Sequence, residues 1–186
     1  GVDFVSYNTD AFHAEKRSAL IEDLQEELEG GKIKTLVHSV AKGNLKPMID
    51  DSRKKRHPES VEGSLLNELQ TDDFELTIQA MGISLYDWTK AVFNANLFAS
   101  EARIISFTSE GNSKVFAKYG AVSASKSILE SISRQMAVEF APYGINVNCI
   151  QAGVTDTRSL RLIPGSERLK EIAKQRNPKN RITMPE

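Results

Sequence analysis

The chain has 186 residues, 40% hydrophobic and 26% charged, with 24 basic against 25 acidic side chains and a net charge of −1. That length holds one domain with a sizeable core and is short for two. The charge balance argues against a dedicated nucleic-acid or membrane-surface binder, and no apolar run is long enough to cross a bilayer.

Residues 2–7 alternate weakly and predict a strand ending at Asn8 and Thr9, with Asp10 as the N-cap of the helix that follows. In that helix Leu20, Ile21, Leu24 and Leu28 recur at helical spacing until Gly30 and Gly31 stop it. Ile33 to Ala41 reads as a buried strand. Residues 44–71, with Pro47, the basic run Arg53 to His57, Pro58 and Gly63, read as a long loop insertion. A helix is expected from Asp72 to Ala99 on Phe74, Ile78, Met81, Leu85, Trp88, Val92 and Phe93. A strand from Arg103 to Thr108 ends at Ser109. Tyr119 to Phe140 is helical, with small residues Ser123, Ala124, Ser127 and Ser131 on one side, where a second helix could approach closely. Ile145 to Ala152 is the next strand and residues 153–157 its exit loop. The rest reads as a helical tail, with Leu160, Leu162 and Ile163 uncommitted. Cys149, the single cysteine, rules out an internal disulfide, suits a reducing cytoplasm and reads as a buried filler.

Strands alternating with helices imply parallel pairing and a doubly wound α/β sheet, whose ligands bind beyond the carboxyl ends of the strands. The residues to inspect are therefore 8–10, 38–43, 108–111 and 152–157. Tyr119 and Lys126 lie seven positions apart at a helix start, so they project from nearly one face, roughly 10 Å apart along the axis. A phenol is a poor acid–base group at neutral pH, and a nearby ammonium favours its phenolate. By itself the pair is weak evidence. Ser109, His38 to Ala41, and Ala152 to Thr157 add three further strand ends on the same rim, as a dinucleotide crevice requires.

These residues resemble short-chain dehydrogenases/reductases of Rossmann type over nearly the whole chain. Most members separate Tyr and Lys by three residues. Tyr119-Gly-Ala-Val-Ser-Ala-Ser-Lys126 has six between, which is similar to the enoyl-acyl-carrier-protein reductase branch. Leu36-Val37-His38-Ser39-Val40-Ala41, the segment from Gly144 to Gly153 and the ending Asn177 to Thr183 also look like that branch. The resemblance implies NADH or NADPH as cofactor and an enoyl thioester as substrate, in fatty-acid synthesis. It implies catalysis by Tyr119 and Lys126 with Ser109 near the substrate carbonyl. Ser39, Val40 and Ala41 would line the adenosine and ribose path, and Lys126 would hold the nicotinamide ribose. Ala152 and Gly153 would meet the nicotinamide, Thr155 its carboxamide through backbone, and Thr157 the pyrophosphate. Asn8 and Thr9 stand where the family contacts adenine. Leu160, Leu162 and Ile163 would belong to a substrate lid over residues 158–180. No metal is implied.

None of the eleven glycines forms a phosphate-cradling cluster. In the family's pattern that loop precedes Gly1 and a last strand follows Pro185, so the chain is expected to be a fragment truncated at both ends. Val154 replaces a frequent Pro, and Ser109 stands where many of the branch carry a second Tyr. His38 reads as a packed strand-end histidine, Lys42 as facing water, and Trp88 and Tyr86 as core or subunit interface. The basic run reads most simply as a solvated loop; docking of an acidic acyl-carrier protein is the sharper reading. A homo-oligomer through the small-residue helix face is expected. Ketone reduction of a 3-oxoacyl thioester, and a cofactor-free scaffold, stay open as alternatives.

Overall fold

In this computed structural model, residues 4–49, 67–161 and 165–184 are described. The apolar segments pair into a parallel sheet of β1 (Ile33–His38), β2 (Phe98–Thr108) and β3 (Asn146–Gln151), in that order. Leu36 lies opposite Ile104 and Ile104 opposite Val147; two residues on, His38, Ser106 and Cys149 form the next row. Side chains alternate along a strand, so both rows point to one face. The expected α/β parallel sheet of Rossmann type is thus present, its strands joined by helical crossovers.

The helices are α1 (Ala14–Glu27), α2 (Thr71–Ile78), α3 (Ser84–Asn94), α4 (Gly120–Glu139), α5 (Arg158–Arg161) and α6 (Ser166–Arg176). α3 and α4 cover the face carrying the two rows. Leu85 and Leu129 meet Ala102, Ile104, Ile145 and Val147 there, in a core closed by Met136. At the β1 edge Ile21 of α1 packs with Val92 and Leu97. Val37 and Ile150, one residue out of phase, point to the opposite face and are exposed. No helix among the described residues is long and apolar enough to cross a membrane.

Three sequence expectations need correction. Residues 4–7 form no strand: Phe4 is 87% exposed, and no partner strand among the described residues takes up their hydrogen bonds. Asp10 does not cap α1. Its carboxylate accepts from the Phe12 N–H at 3.1 Å in a local turn, and the helix starts only after His13. The helix expected from Asp72 to Ala99 is α2, a single π-turn at Gln79–Ile83, and α3, which stops at Asn94. Asn96 then turns the chain with a φ of 53°, and β2 begins at Phe98 rather than Arg103. Lys42 is exposed, as expected, with its ammonium 4.9 Å from the centre of the Phe12 ring. Trp88 does belong to the packed interior, with its indole N–H donating to the Ala11 carbonyl at 3.1 Å.

The π-turn sits against α4. A methyl group on Gly82 would come within 3.2 Å of the Ser125 carbonyl and 3.1 Å of Ile128, so glycine lets the two helices close to this distance. From the 44–71 insertion, residues 44–49 and 67–71 are described. They are tied down by Asn44 and Lys46, which donate to Asp73 at 2.5 and 2.9 Å, and by Leu69 N–H on the Pro47 carbonyl. The basic run Arg53 to His57 lies outside the described residues.

Leu129 is fully buried between α4 and the sheet. Leu129→Ala is expected to lower unfolding free energy by about 2–5 kcal/mol, through lost transfer energy and the cavity left behind. Urea titration checks this: a midpoint shift with unchanged slope is expected.

Candidate active site

Ser109 leaves β2 in an extended conformation, and Tyr119 stands just before the first residue of α4. The strand end and the helix start meet, and the two hydroxyls share a hydrogen bond of 3.2 Å. Gly111 makes this possible. A Cβ there would overlap the Tyr119 ring, and its N–H donates to the Ser109 hydroxyl at 3.3 Å. Phe116 closes the other side, edge-on to the Tyr119 ring at 5.9 Å.

Lys126, two helical turns on, points back to the same strand end. Its ammonium donates to the Phe107 carbonyl at 2.7 Å, and the residue is 8% exposed. Burial holds its pKa below the usual lysine value, with Cys149 pulling weakly the other way. Glu130, one further turn along, accepts from the Thr108 hydroxyl at 2.6 Å and from the Asn112 amide. It thereby braces both sides of Ser109. Tyr119 and Ser109 are thus in contact, and Lys126 is anchored at the same strand end two residues before Ser109.

The other strand ends adjoin this cluster. His38 is buried, with Nε2 2.7 Å from the Ser84 hydroxyl. Beyond it Ser39 and Ala41 are exposed and Val40 half-buried. After β3, Ala152 and Gly153 are exposed; Thr155 bridges to Thr183, whose N–H donates to the Val154 carbonyl at 2.9 Å. The Thr155 hydroxyl donates to the Gly153 carbonyl. The Thr157 hydroxyl caps α5 by accepting from the Leu160 N–H at 3.1 Å. Asn8 and Thr9 lie exposed in irregular chain rather than at a strand end. Among the described residues no group of His, Cys, Asp or Glu could hold a metal ion.

Sequence reasoning missed the cleft beside the cluster. It has a volume of about 450 Å³ and is lined by Phe116, Val154, Leu169, Ile172 and Ala173, among others. The spacing of 169, 172 and 173 is helical and could have been found. Of the expected lid residues, Leu160 is half-buried on α5, while Leu162 and Ile163 lie outside the described residues. α6 is fixed over the cleft by ion pairs. Arg176 reaches Glu110, the residue after Ser109, at 3.2 Å, and Lys170 reaches Asp156 at 3.0 Å. Asp156 also takes Arg161 at 2.9 Å, and these two partners hold its pKa down to about 2.

The hydroxyl pair and the buried ammonium both lie at the carboxyl end of β2, the rim where doubly wound parallel sheets take their ligands. The family model described as enoyl-(acyl carrier protein) reductase matches residues 1–186, and the chain belongs to that family. Over 64 residues the chain is 42% identical to 1-cyclohexenylcarbonyl-CoA reductase of Streptomyces collinus, a match of 34% of this chain and 23% of that protein. Its fold matches the enoyl-[acyl-carrier-protein] reductase (NADH) of Aquifex aeolicus at 23% identity and a TM-score of 0.74, over 92% of this chain and 60% of the other. The Bacillus cereus enoyl-acyl carrier protein reductase, solved with NADP+ and indole naphthyridinone, matches at 21% and 0.75, over 93% and 60%. The chain therefore spans about three-fifths of the solved relatives and less than a quarter of the curated one.

The depressed pKa of Asp156 has a pH consequence. Its ion pairs favour the closed α5–α6 arrangement above the unfolded carboxyl pKa near 3.8, and that contribution is lost as pH falls toward about 2. Asp156→Asn is expected to remove the acid-dependent part at neutral pH, read as faster limited proteolysis within residues 158–176. A cleavage rate equal to wild type at pH 7 would count against the clamp.

Proposed function

We propose that this protein reduces the carbon–carbon double bond of a 2-enoyl thioester with NADH or NADPH. The observation that carries this reading is the Ser109–Tyr119 hydroxyl pair, 3.2 Å apart, beside the buried ammonium of Lys126. Family membership and the six residues between Tyr119 and Lys126 support it.

The residues present fit a nicotinamide dinucleotide. Lys126 spends one proton on the Phe107 carbonyl and has two more donors for a ribose hydroxyl. Ser39, Val40 and Ala41 offer small side chains along an adenosine and ribose path, and the exposed backbone of Ala152 and Gly153, with Thr183 packed against Gly153, is assigned to the nicotinamide. The backbone of Thr155 suits a carboxamide and the Thr157 loop a pyrophosphate, while Asn8 and Thr9 are assigned to the adenine end. When bound, the reduced nicotinamide supplies hydride to the β-carbon of the substrate. Tyr119 donates a hydrogen bond to the thioester oxygen, where negative charge develops, and Ser109 steadies the phenol. Lys126 contributes positive charge behind the pair. The cleft beneath α6 excludes water from the acyl group, with Leu160, Leu162 and Ile163 assigned to the same lid.

Fatty-acid synthesis in the cytoplasm, with an acyl-carrier protein as substrate carrier, is one setting. A second is favoured by the 42% identity to a reductase whose named substrate is a CoA thioester with its carbonyl conjugated to a ring double bond. An enoyl thioester borne on CoA fits the same chemistry. The basic run Arg53 to His57 remains the candidate docking surface for an acidic carrier. The exposed Ser127 and Ser131 on α4 support a homo-oligomer built helix on helix.

The test is loss of reduced-nicotinamide absorbance by the full-length protein with 2-enoyl-CoA, 2-enoyl carrier and 3-oxoacyl thioester substrates. Turnover of an enoyl substrate is expected, falling about 10²–10⁴-fold in Tyr119→Phe. Turnover of the oxo substrate alone would move the protein to ketone reduction. No turnover and no cofactor binding would make it a scaffold. Gly111→Ala displaces the Tyr119 ring and is expected to cost on the order of a hundredfold in kcat, with the melting temperature as control.

A further inference from the structure

We propose that Glu130 is a positioning residue for Ser109, its carboxylate clamping both ends of the turn that carries the Ser109 hydroxyl to Tyr119. This rests on the role given to the hydroxyl pair above. Four residues after Lys126, Glu130 lies on the same side of α4 as that lysine, facing the end of β2. Its Oε1 accepts from the hydroxyl of Thr108, the last residue of β2, at 2.6 Å. The same oxygen accepts from the side-chain amide of Asn112, the last residue of the 3₁₀ turn that follows. Between those two donors lie only Ser109, Glu110 and Gly111. One atom of α4 thus holds the turn at its entry and at its exit.

The bonds within the turn are the weaker ones. The Asn112 N–H reaches the Ser109 carbonyl at 3.4 Å, and the Gly111 N–H reaches the Ser109 hydroxyl at 3.3 Å. Both are longer than an ordinary N–H···O bond. The Glu110 carbonyl takes the N–H groups of Ser113 and Lys114 at 3.1 and 2.8 Å, but those bonds hold the chain leaving the turn. The Thr108 bond to Glu130 is shorter than any of these, and a carboxylate acceptor is stronger than a neutral one. The half-buried carboxylate therefore fixes where Ser109 sits. Little tolerance remains, because the Ser109–Tyr119 contact is already long for two hydroxyls at 3.2 Å. The other carboxylate oxygen lies 3.9 Å from Arg134, whose side chain is 72% exposed, so that ion pair carries little weight.

Turnover by variants of the full-length protein, alone and combined, tests this. Glu130→Ala is expected to lower kcat about thirtyfold while leaving the KM for cofactor unchanged. Glu130→Gln keeps an oxygen that accepts the same two bonds and should stay within about threefold of wild type. In a Ser109→Ala background, Glu130→Ala should cost less than about twofold more, because the hydroxyl it positions is gone. Arg134→Ala is expected to change nothing. Equal losses with and without Ser109, or a Gln variant as slow as the Ala variant, would overturn the proposal. Amide hydrogen exchange gives a readout independent of turnover. The buried Gly111 N–H is expected to exchange about tenfold faster in Glu130→Ala than in wild type, and an unchanged rate would end the idea. If wild type turns over no thioester, the enoyl reading fails while the exchange rates still decide whether Glu130 holds the turn.

Discussion

The site is organised around one hydrogen bond, from the buried ammonium of Lys126 to the Phe107 carbonyl at the end of β2. It fixes the start of α4 to the rim of the sheet, and Tyr119, at the head of that helix, comes with it. Glu130 repeats the attachment one turn later through Thr108 and Asn112. Ser109 lies between these two anchors, so its hydroxyl meets the phenol without support from any flexible segment. A charged donor on a backbone acceptor is stronger than a neutral pair, and burial strengthens it further.

The sheet contributes position rather than chemistry. Its lower row, Leu36, Ile104 and Val147, is apolar and packs against α3 and α4. The row above is His38, Ser106 and Cys149, and its polar atoms are answered by helix hydroxyls, Ser84 for His38 and Ser133 for Ser106. The change from hydrocarbon to polar within two residues of each strand marks where core ends and site begins. Gly82 and Gly111 serve the same end by removing volume, one between helices and one under the Tyr119 ring.

Much of this was legible in the sequence because it is local. The strands expected at Ile33 to Ala41 and Ile145 to Ala152 form at Ile33–His38 and Asn146–Gln151, and the Tyr119/Lys126 spacing follows from helix geometry alone. The misreadings share a different cause. Residues 4–7 had some alternation but no partner strand among the described residues, and pairing is not written in a single segment. The run through Leu97 and Phe98 kept helical spacing, so the break at Asn96, set by backbone conformation and packing, left no periodic trace. His38 is the packed strand-end histidine expected, but its partner Ser84, 46 residues away on a turn that no pattern announces, was not legible. The cleft under α6 was hidden for a similar reason, since Leu169, Ile172 and Ala173 gain meaning only when folded over Phe116.

The Arg176–Glu110 contact joins the last turn of α6 to the residue beside Ser109. The cover of the cleft and the Ser109 hydroxyl are therefore neighbours through two side chains rather than through the length of the chain. Any guest bulky enough to lift that helix must pull on Glu110, and through it on the turn that seats Tyr119. Size discrimination at such a cleft needs no separate filter at the entrance: an oversized guest would loosen the Ser109–Tyr119 hydroxyl pair.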